Sequence, residues 1–166
     1  KVWQIHLELT AAEYQAMQPA SAGFPGFPGG PMPPKVEPKP GEPKRETHRS
    51  AFNTEFPWAV AALTADGKTV KKVGLRYKGN STYLSTARNL KRSFKIDLDR
   101  HDEAARFHGL KSLNLHCGVM DAPKVREALA YSIYRAAGVP APRTAFAEVT
   151  LTVPGKYDKE FVGVYT

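Results

Sequence analysis

Two cations occupy alternate positions near the end of a basic stretch, residues 68–78. In an extended strand Arg76 and Lys78 share one face, and the apolar residues next to them take the other. A Gly-Asn-Ser turn at residues 79–81 follows and adds flexible backbone and small hydrogen-bond donors. Guanidinium and ammonium groups beside such a turn are suited to holding phosphate. The sequence therefore predicts an anion-binding surface here.

A second basic stretch, residues 90–97, is predicted to return alongside the first as a strand. Its apolar residues face a core, Lys95 and Asp97 face away, and Lys91 precedes the strand. A lysine that holds phosphate benefits from a carboxylate that fixes its position, as in the lysine–glutamate pair of protein kinases. Glu127, on a predicted helix, is the candidate partner of Lys95. The alternative is a surface lysine and a surface glutamate that never meet.

The positive charge of the chain is concentrated in this region. The 166 residues carry a formal net charge of +8. Residues 68–111 contain twelve Lys or Arg and four Asp or Glu, whereas the remainder balances at twelve of each. This distribution points to an anionic ligand or partner, with a solvated basic face as the simpler alternative. Nucleic acid is disfavoured because few aromatic residues are interleaved with the cations.

Several function classes lack their signatures. With Cys117 as the only cysteine, no intrachain disulfide and no cysteine-based zinc site can form. No metal site is predicted, and no apolar run approaches the roughly 20 residues of a membrane span. No signal peptide is visible, but the chain begins at Lys1 and not at Met, so a leader stays an open possibility. The common dinucleotide, P-loop, zinc-protease and serine-hydrolase motifs are missing.

The elements that must position the cations are mostly short strands. Asp66-Gly67 is a strong turn dipeptide and predicts a hairpin between residues 56–63 and 69–78. One clear helix is predicted from Asp121 to Gly138, and it carries two stripes, either of which protein or ligand could cover. The other predicted elements are a strand at 2–9, a capped helix from Thr10 to Met17, and strands at 113–116, 145–153 and 161–165. We predict an α+β fold with an antiparallel sheet and one main packed helix.

A proline- and glycine-rich segment interrupts this pattern. Residues 19–43 carry nine of the fourteen prolines and five glycines, a composition that cannot form regular helix or sheet. We predict a flexible insertion over residues 19–50 within a single domain spanning 1–166. Phe24 and Phe27 docking onto a partner is the alternative to a disordered loop.

Five segments, in order, resemble the CotH kinase family, which is named for the spore coat protein H. The resemblance covers nearly everything except the insertion. The segments are Arg76–Ser81, Leu90–Leu98, Phe107–His116, Arg126–Tyr131 and Gly138–Ala145.

The resemblance implies the N-terminal lobe of an atypical protein-kinase-like fold. It also implies a secreted or extracytoplasmic enzyme that uses ATP and Mg²⁺ to phosphorylate Ser or Thr of surface or coat proteins. By this resemblance the nucleotide-proximal strand and turn comprise Arg76, Lys78, Asn80 and Ser81. The phosphate-contacting lysine is Lys91 or Lys95, of which strand alternation favours Lys95, and Glu127 takes the helix glutamate position.

The resemblance also implies what is missing. The family's catalytic and metal-binding aspartates are expected after the strand at which this chain stops, so a C-terminal part or a partner chain is expected to complete the fold. Without those groups the chain is expected to bind nucleotide weakly and not to turn over. Cys117 stands where the family is expected to have Asn. A noncatalytic envelope or assembly module that uses the same fold is the alternative.

Overall fold

The computed structural model describes residues 1–19, 45–86 and 89–166. Most of the predicted insertion, residues 20–44, lies outside the described residues. Residues 45–50, which the same prediction includes, contain a short strand. The elements are β1 (Val2–Glu8), α1 (Ala11–Ala16), β2 (Thr47–Arg49), β3 (Glu55–Pro57), β4 (Ala59–Ala65), β5 (Lys68–Tyr77), α2 (Ser81–Ser85), β6 (Phe94–Asp97), β7 (Ser112–Leu115), α3 (Arg126–Ala136), β8 (Phe146–Val153) and β9 (Tyr157–Tyr165).

Seven of these strands form one mixed sheet in the order β7-β6-β5-β4-β1-β8-β9. The predicted hairpin is confirmed, with Ala65 opposite Lys68 across the turn. The prediction of an antiparallel sheet holds for every neighbouring pair except β1 and β8, which are parallel from Val2–Phe146 to Glu8–Thr152. These two strands are far apart in the chain, so no tight turn forces them to run in opposite directions.

The sheet curls until its two ends meet. Just beyond β7 and β9, His116 and Thr166 exchange two backbone hydrogen bonds of 2.8 and 3.1 Å. The concave side of the curled sheet holds the core. The side chains predicted to face inwards on β5 and around β6 are all 0–1% exposed, which confirms the period-two assignment; they are Val73, Leu75, Tyr77, Phe94, Ile96 and Leu98.

The two longer predicted helices form, but only one of them contributes to the core. The Thr10 hydroxyl accepts the Glu13 backbone N–H at 3.1 Å at the start of α1, and Tyr14 and Met17 are buried there. In contrast, α3 buries none of its residues. Leu129 and Ile133 of its apolar stripe are 59% and 57% exposed, so the prediction of a packed main helix is wrong for the described residues. The core consists mainly of strand side chains, with Tyr14 and Met17 added from α1 and its end, and α3 contributes none.

An α+β-like fold thus describes the molecule, with sheet predominating. The likeness to a kinase N-terminal lobe stays a prediction.

Candidate functional site

The strand register places the predicted phosphate contacts in one row. Arg76 of β5 lies opposite Lys95 of β6, and Lys95 lies opposite Asn114 of β7. Residues directly opposite one another share a sheet face, and here it is the convex face, away from the core. Lys78, two residues after Arg76, belongs to the same face, and its backbone N–H donates to the Ser93 carbonyl at 3.0 Å. Three cations separated in the sequence thus lie on one surface.

Lys78 is the lysine that the structure connects to Glu127. Its ammonium donates to Asn114 Oδ1 at 3.0 Å and lies 2.8 Å from His116 Nε2. The other imidazole nitrogen, Nδ1, lies 2.7 Å from Glu127 Oε2. Lys95 instead donates to Ser112 Oγ at 2.7 Å.

The predicted direct pair of Lys95 and Glu127 is therefore not formed. The reason is the register of the sheet. Lys95 is level with Asn114, whereas Lys78 lies one step beyond the row of Tyr77, Phe94 and Leu115 and is thus level with His116.

Arg76 is the most buried of the three cations. The residue is only 9% exposed, and its guanidinium carbon lies 4.9 Å from the centroid of the Trp58 ring. Nη1 donates to the Tyr77 carbonyl at 3.0 Å, but Nε is buried and finds no hydrogen-bond partner in the part of the chain that the structure describes. Arg100 lies against the same indole at 4.3 Å. A buried donor without a partner is unusual in a folded protein.

Burial and mutual proximity weaken the protonation of all three groups. Burial is the main cause that lowers the pKa of Lys78, followed by the charges of Lys95 and Arg76, while the Glu127 carboxylate opposes the shift. The pKa of Lys95 is lowered by burial and by Arg76 and is partly restored by Asp97. Burial and Arg100 lower the pKa of Arg76. A negative charge bound among these cations would favour their charged forms and so oppose this lowering.

A cleft of about 290 Å³ lies against this surface. One wall is the predicted basic strand end and turn, namely Arg76, Lys78, Gly79 and Asn80. The opposite wall comes from residues around β2 and β3, namely His48, Arg49, Ser50, Ala51 and Phe56. Burial and the charge of Arg76 lower the pKa of His48.

Sequence reasoning missed this second wall. A strand of three residues, Thr47–Arg49, is too short for alternation to show, and it adjoins a segment whose composition indicates an irregular loop.

The turn after β5 requires its glycine. Gly79 has a φ of +115°, and a Cβ there would lie 2.6 Å from Thr82 Oγ1. The carbonyl of Asn80 then accepts the Tyr83 N–H at 3.1 Å and starts α2. Asn80 lines the cleft, whereas Ser81 is exposed as the first residue of α2. The glycine thus turns the chain sharply at the edge of the cleft.

Lys91 lies in a different environment from the other predicted cations. Its aliphatic stem crosses Gly163, where a Cβ would lie 2.9 Å from Lys91 Cδ, and its ammonium lies 5.6 Å from the Tyr165 ring centroid. Burial and the charge of Lys124 lower its pKa. The contacts of Lys91 are thus with β9 and not with Arg76, Lys78 or Lys95.

Within residues 1–19, 45–86 and 89–166 no group of three His, Cys, Asp or Glu side chains is arranged to hold a metal ion. None of the helices in the same ranges is both long enough and apolar enough to cross a membrane.

Clustered cations thus lie on one sheet face beside a cleft. Comparison with known proteins gives the family of the chain. The family model described as CotH kinase protein matches residues 75–166. Since this match spans more than half of the chain, the chain belongs to the CotH kinase protein family, as the sequence motifs indicate. The matched region begins inside β5 and contains all seven predicted site residues. A search of curated proteins found no significant match.

Proposed function

We propose that this chain provides the nucleotide-binding surface of a CotH-type protein kinase, which transfers phosphate from ATP to Ser or Thr hydroxyls of surface or coat proteins. Family membership supports the kinase assignment, and the cation cluster on the convex sheet face supports the position of the nucleotide. We further propose that the protein acts outside the cytoplasm, as the resemblance to secreted kinases implies.

One observation carries the proposal. Arg76, Lys78 and Lys95 are partly or largely buried side by side, and none of them forms an ion pair of 4.0 Å or less within the described residues. Such a concentration of buried positive charge is costly unless an anion compensates it. The triphosphate of ATP supplies several negative charges and acceptors for the lysine ammonium groups.

The geometry gives each predicted residue a proposed role. Lys95, Lys78 and Arg76 contact phosphate oxygens, and Lys95 is preferred over Lys91 because only Lys95 shares the cluster. Asn80, with the neighbouring Ser81, forms the turn at the edge of the cleft, and Glu127 helps to position Lys78.

ATP fits this donor set, and its chemistry is to supply the transferred phosphoryl group. The Mg²⁺ that the resemblance implies has no ligand set within the described residues, so no step here is assigned to it. The aspartates that accept the hydroxyl proton and hold metal in kinases are expected on residues other than these.

The exposed apolar side chains of α3 favour a second candidate, a noncatalytic module that binds a coat or envelope protein with the same fold. Leu129 and Ile133 are more than half exposed on a helix that buries none of its own residues. A protein that binds such a partner but neither binds ATP nor transfers phosphate would fit this candidate.

Transfer of labelled phosphate tests the proposal. The protein at its natural length is incubated with γ-labelled ATP, Mg²⁺ and Ser-containing surface proteins, and incorporated label is measured. Lys95→Ala should abolish transfer, whereas Lys68→Ala, a matched change of an exposed lysine on β5, should leave it unchanged. Full activity of the Lys95→Ala variant would refute the assigned role.

A further inference from the structure

We infer that His116 is the positioning residue of this site, because it bridges the Lys78 ammonium to the Glu127 carboxylate. The inference rests on the proposed function and adds to it a residue and a proton arrangement. Glu127 acts on the phosphate-binding lysine through an imidazole ring and not by direct contact.

The donor and acceptor groups of the three side chains determine the direction of each hydrogen bond. An ammonium group has three donors and no acceptor, so His116 Nε2, 2.8 Å from Lys78 Nζ, must accept. The ring proton of the neutral imidazole is then on Nδ1, which donates to Glu127 Oε2 at 2.7 Å. In this arrangement the lysine and the glutamate both keep their charges, and the neutral ring connects them.

The arrangement leaves Lys78 ready for a ligand. One N–H of its ammonium donates to His116 and a second to Asn114 Oδ1. The third N–H has no protein partner within the described residues and is available to a phosphate oxygen. These two hydrogen bonds hold the long lysine side chain in place before a ligand arrives. Less conformational entropy is then lost on binding, which is the advantage of a preorganised site.

The backbone that carries this imidazole is also held in place. The backbone of His116 exchanges two hydrogen bonds with Thr166 at 2.8 and 3.1 Å, where the two ends of the curled sheet meet. Its side chain lies between Lys78, which directly follows β5, and Glu127, which lies on α3.

The first test uses nitrogen NMR of the histidine rings of the ligand-free chain at a pH of about 8, where an ordinary histidine is neutral. His116 should show the proton on Nδ1, and Lys78→Met should leave the proton there, where Glu127 accepts it, but shift the Nε2 resonance to that of a nitrogen that accepts no hydrogen bond. A wild-type ring with its proton on Nε2, a doubly protonated ring, or an Nε2 resonance that Lys78→Met does not change would each overturn the inference. The wild-type part of this readout needs no nucleotide and no variant, so misfolding of a variant cannot obscure it.

The second test measures ATP affinity in a double-mutant cycle. His116→Phe keeps a ring of similar size but removes both hydrogen bonds, and it should weaken ATP binding about tenfold. In the Lys78→Met background the same change should have little further effect, because the group that it positions is absent. His101→Phe, at an exposed histidine, is the matched control and should not alter the affinity. Additive effects of the two changes would overturn the inference.

The two tests separate the two proposals. A correct tautomer with no ATP binding would refute the proposed function and leave the bridge as a structural feature. ATP binding with the wrong tautomer would refute the bridge and leave the proposed function standing.

Discussion

Gly74, in the middle of β5, allows the Arg100 side chain to cross the sheet closely enough to reach Trp58. A Cβ at this position would lie 2.4 Å from Arg100 Cδ and 3.1 Å from Trp58 Cε3. Gly74→Ala must therefore displace the Arg100 stem, and with it the guanidinium that stacks at 4.3 Å from the Trp58 ring centroid and pairs with Asp97 and Glu46.

The expected cost follows from what Arg100 loses. The cation–π contact contributes about 0.5–2 kcal/mol and the two partly exposed ion pairs about 0–1 kcal/mol each. Replacing a strand glycine by alanine recovers about 0.5–1 kcal/mol of backbone entropy. The net loss in free energy of unfolding should be about 1 kcal/mol, which lowers the melting temperature of a chain of this size by about 2–4 °C.

Urea unfolding of Gly74→Ala alone and in an Arg100→Ala background tests this reasoning. Once the Arg100 side chain beyond Cβ is gone, the remaining close neighbours are Arg100 Cβ at 3.3 Å and the partly exposed Trp58 ring at 3.1 Å, so most of the loss in stability should disappear. An equal loss of stability in both backgrounds would show that the cost does not come from Arg100.

Three further changes should have defined effects. Burial lowers the pKa of Lys95 in the folded chain, so the stability of the wild type should increase as the pH rises from that folded pKa to the unfolded value of about 10.4. Lys95→Met lacks this gain, and its stability relative to the wild type should therefore decline over the same pH range in urea titrations. A constant difference between the two would contradict this. Gly79→Ala combines a φ of +115° with a clash at Thr82 and should cost about 1–3 kcal/mol by thermal unfolding, so a neutral result would refute the need for glycine. Tyr165→Phe removes the hydroxyl that donates to the Arg92 carbonyl at 2.9 Å and should cost about 1 kcal/mol in urea, and an unchanged midpoint would show that the bond contributes nothing.

Local features of the fold could be predicted from the sequence because their causes are local. Side-chain alternation identified the buried face of β5, and Asp66-Gly67 identified the hairpin turn. The parallel pairing of β1 with β8 and the meeting of His116 with Thr166 depend on residues far apart in the chain, and no pattern within one segment specifies them. The exposure of α3 is equally nonlocal, since its apolar stripe looks the same whether or not something covers it.

The candidate site divides in the same way. Alternation was sufficient to assign Arg76, Lys78 and Lys95 to outward faces, and the register then brought them together. The partner of Glu127 could not be predicted, because a register shift of two residues between β6 and β7 decides whether Lys78 or Lys95 is level with His116. A single histidine without a nearby metal-ligand pattern gave no signal of its own.

Calorimetric titration of the chain with ATP in the presence of Mg²⁺ tests the central claim most directly. Loss of one charge-assisted bond to phosphate should raise the dissociation constant of Lys95→Met about 10- to 100-fold, and Lys68→Met should bind as the wild type does. No binding of ATP to the wild-type chain, or equal affinities of the Lys95→Met variant and the wild type, would contradict the assignment of the convex sheet face as the nucleotide site.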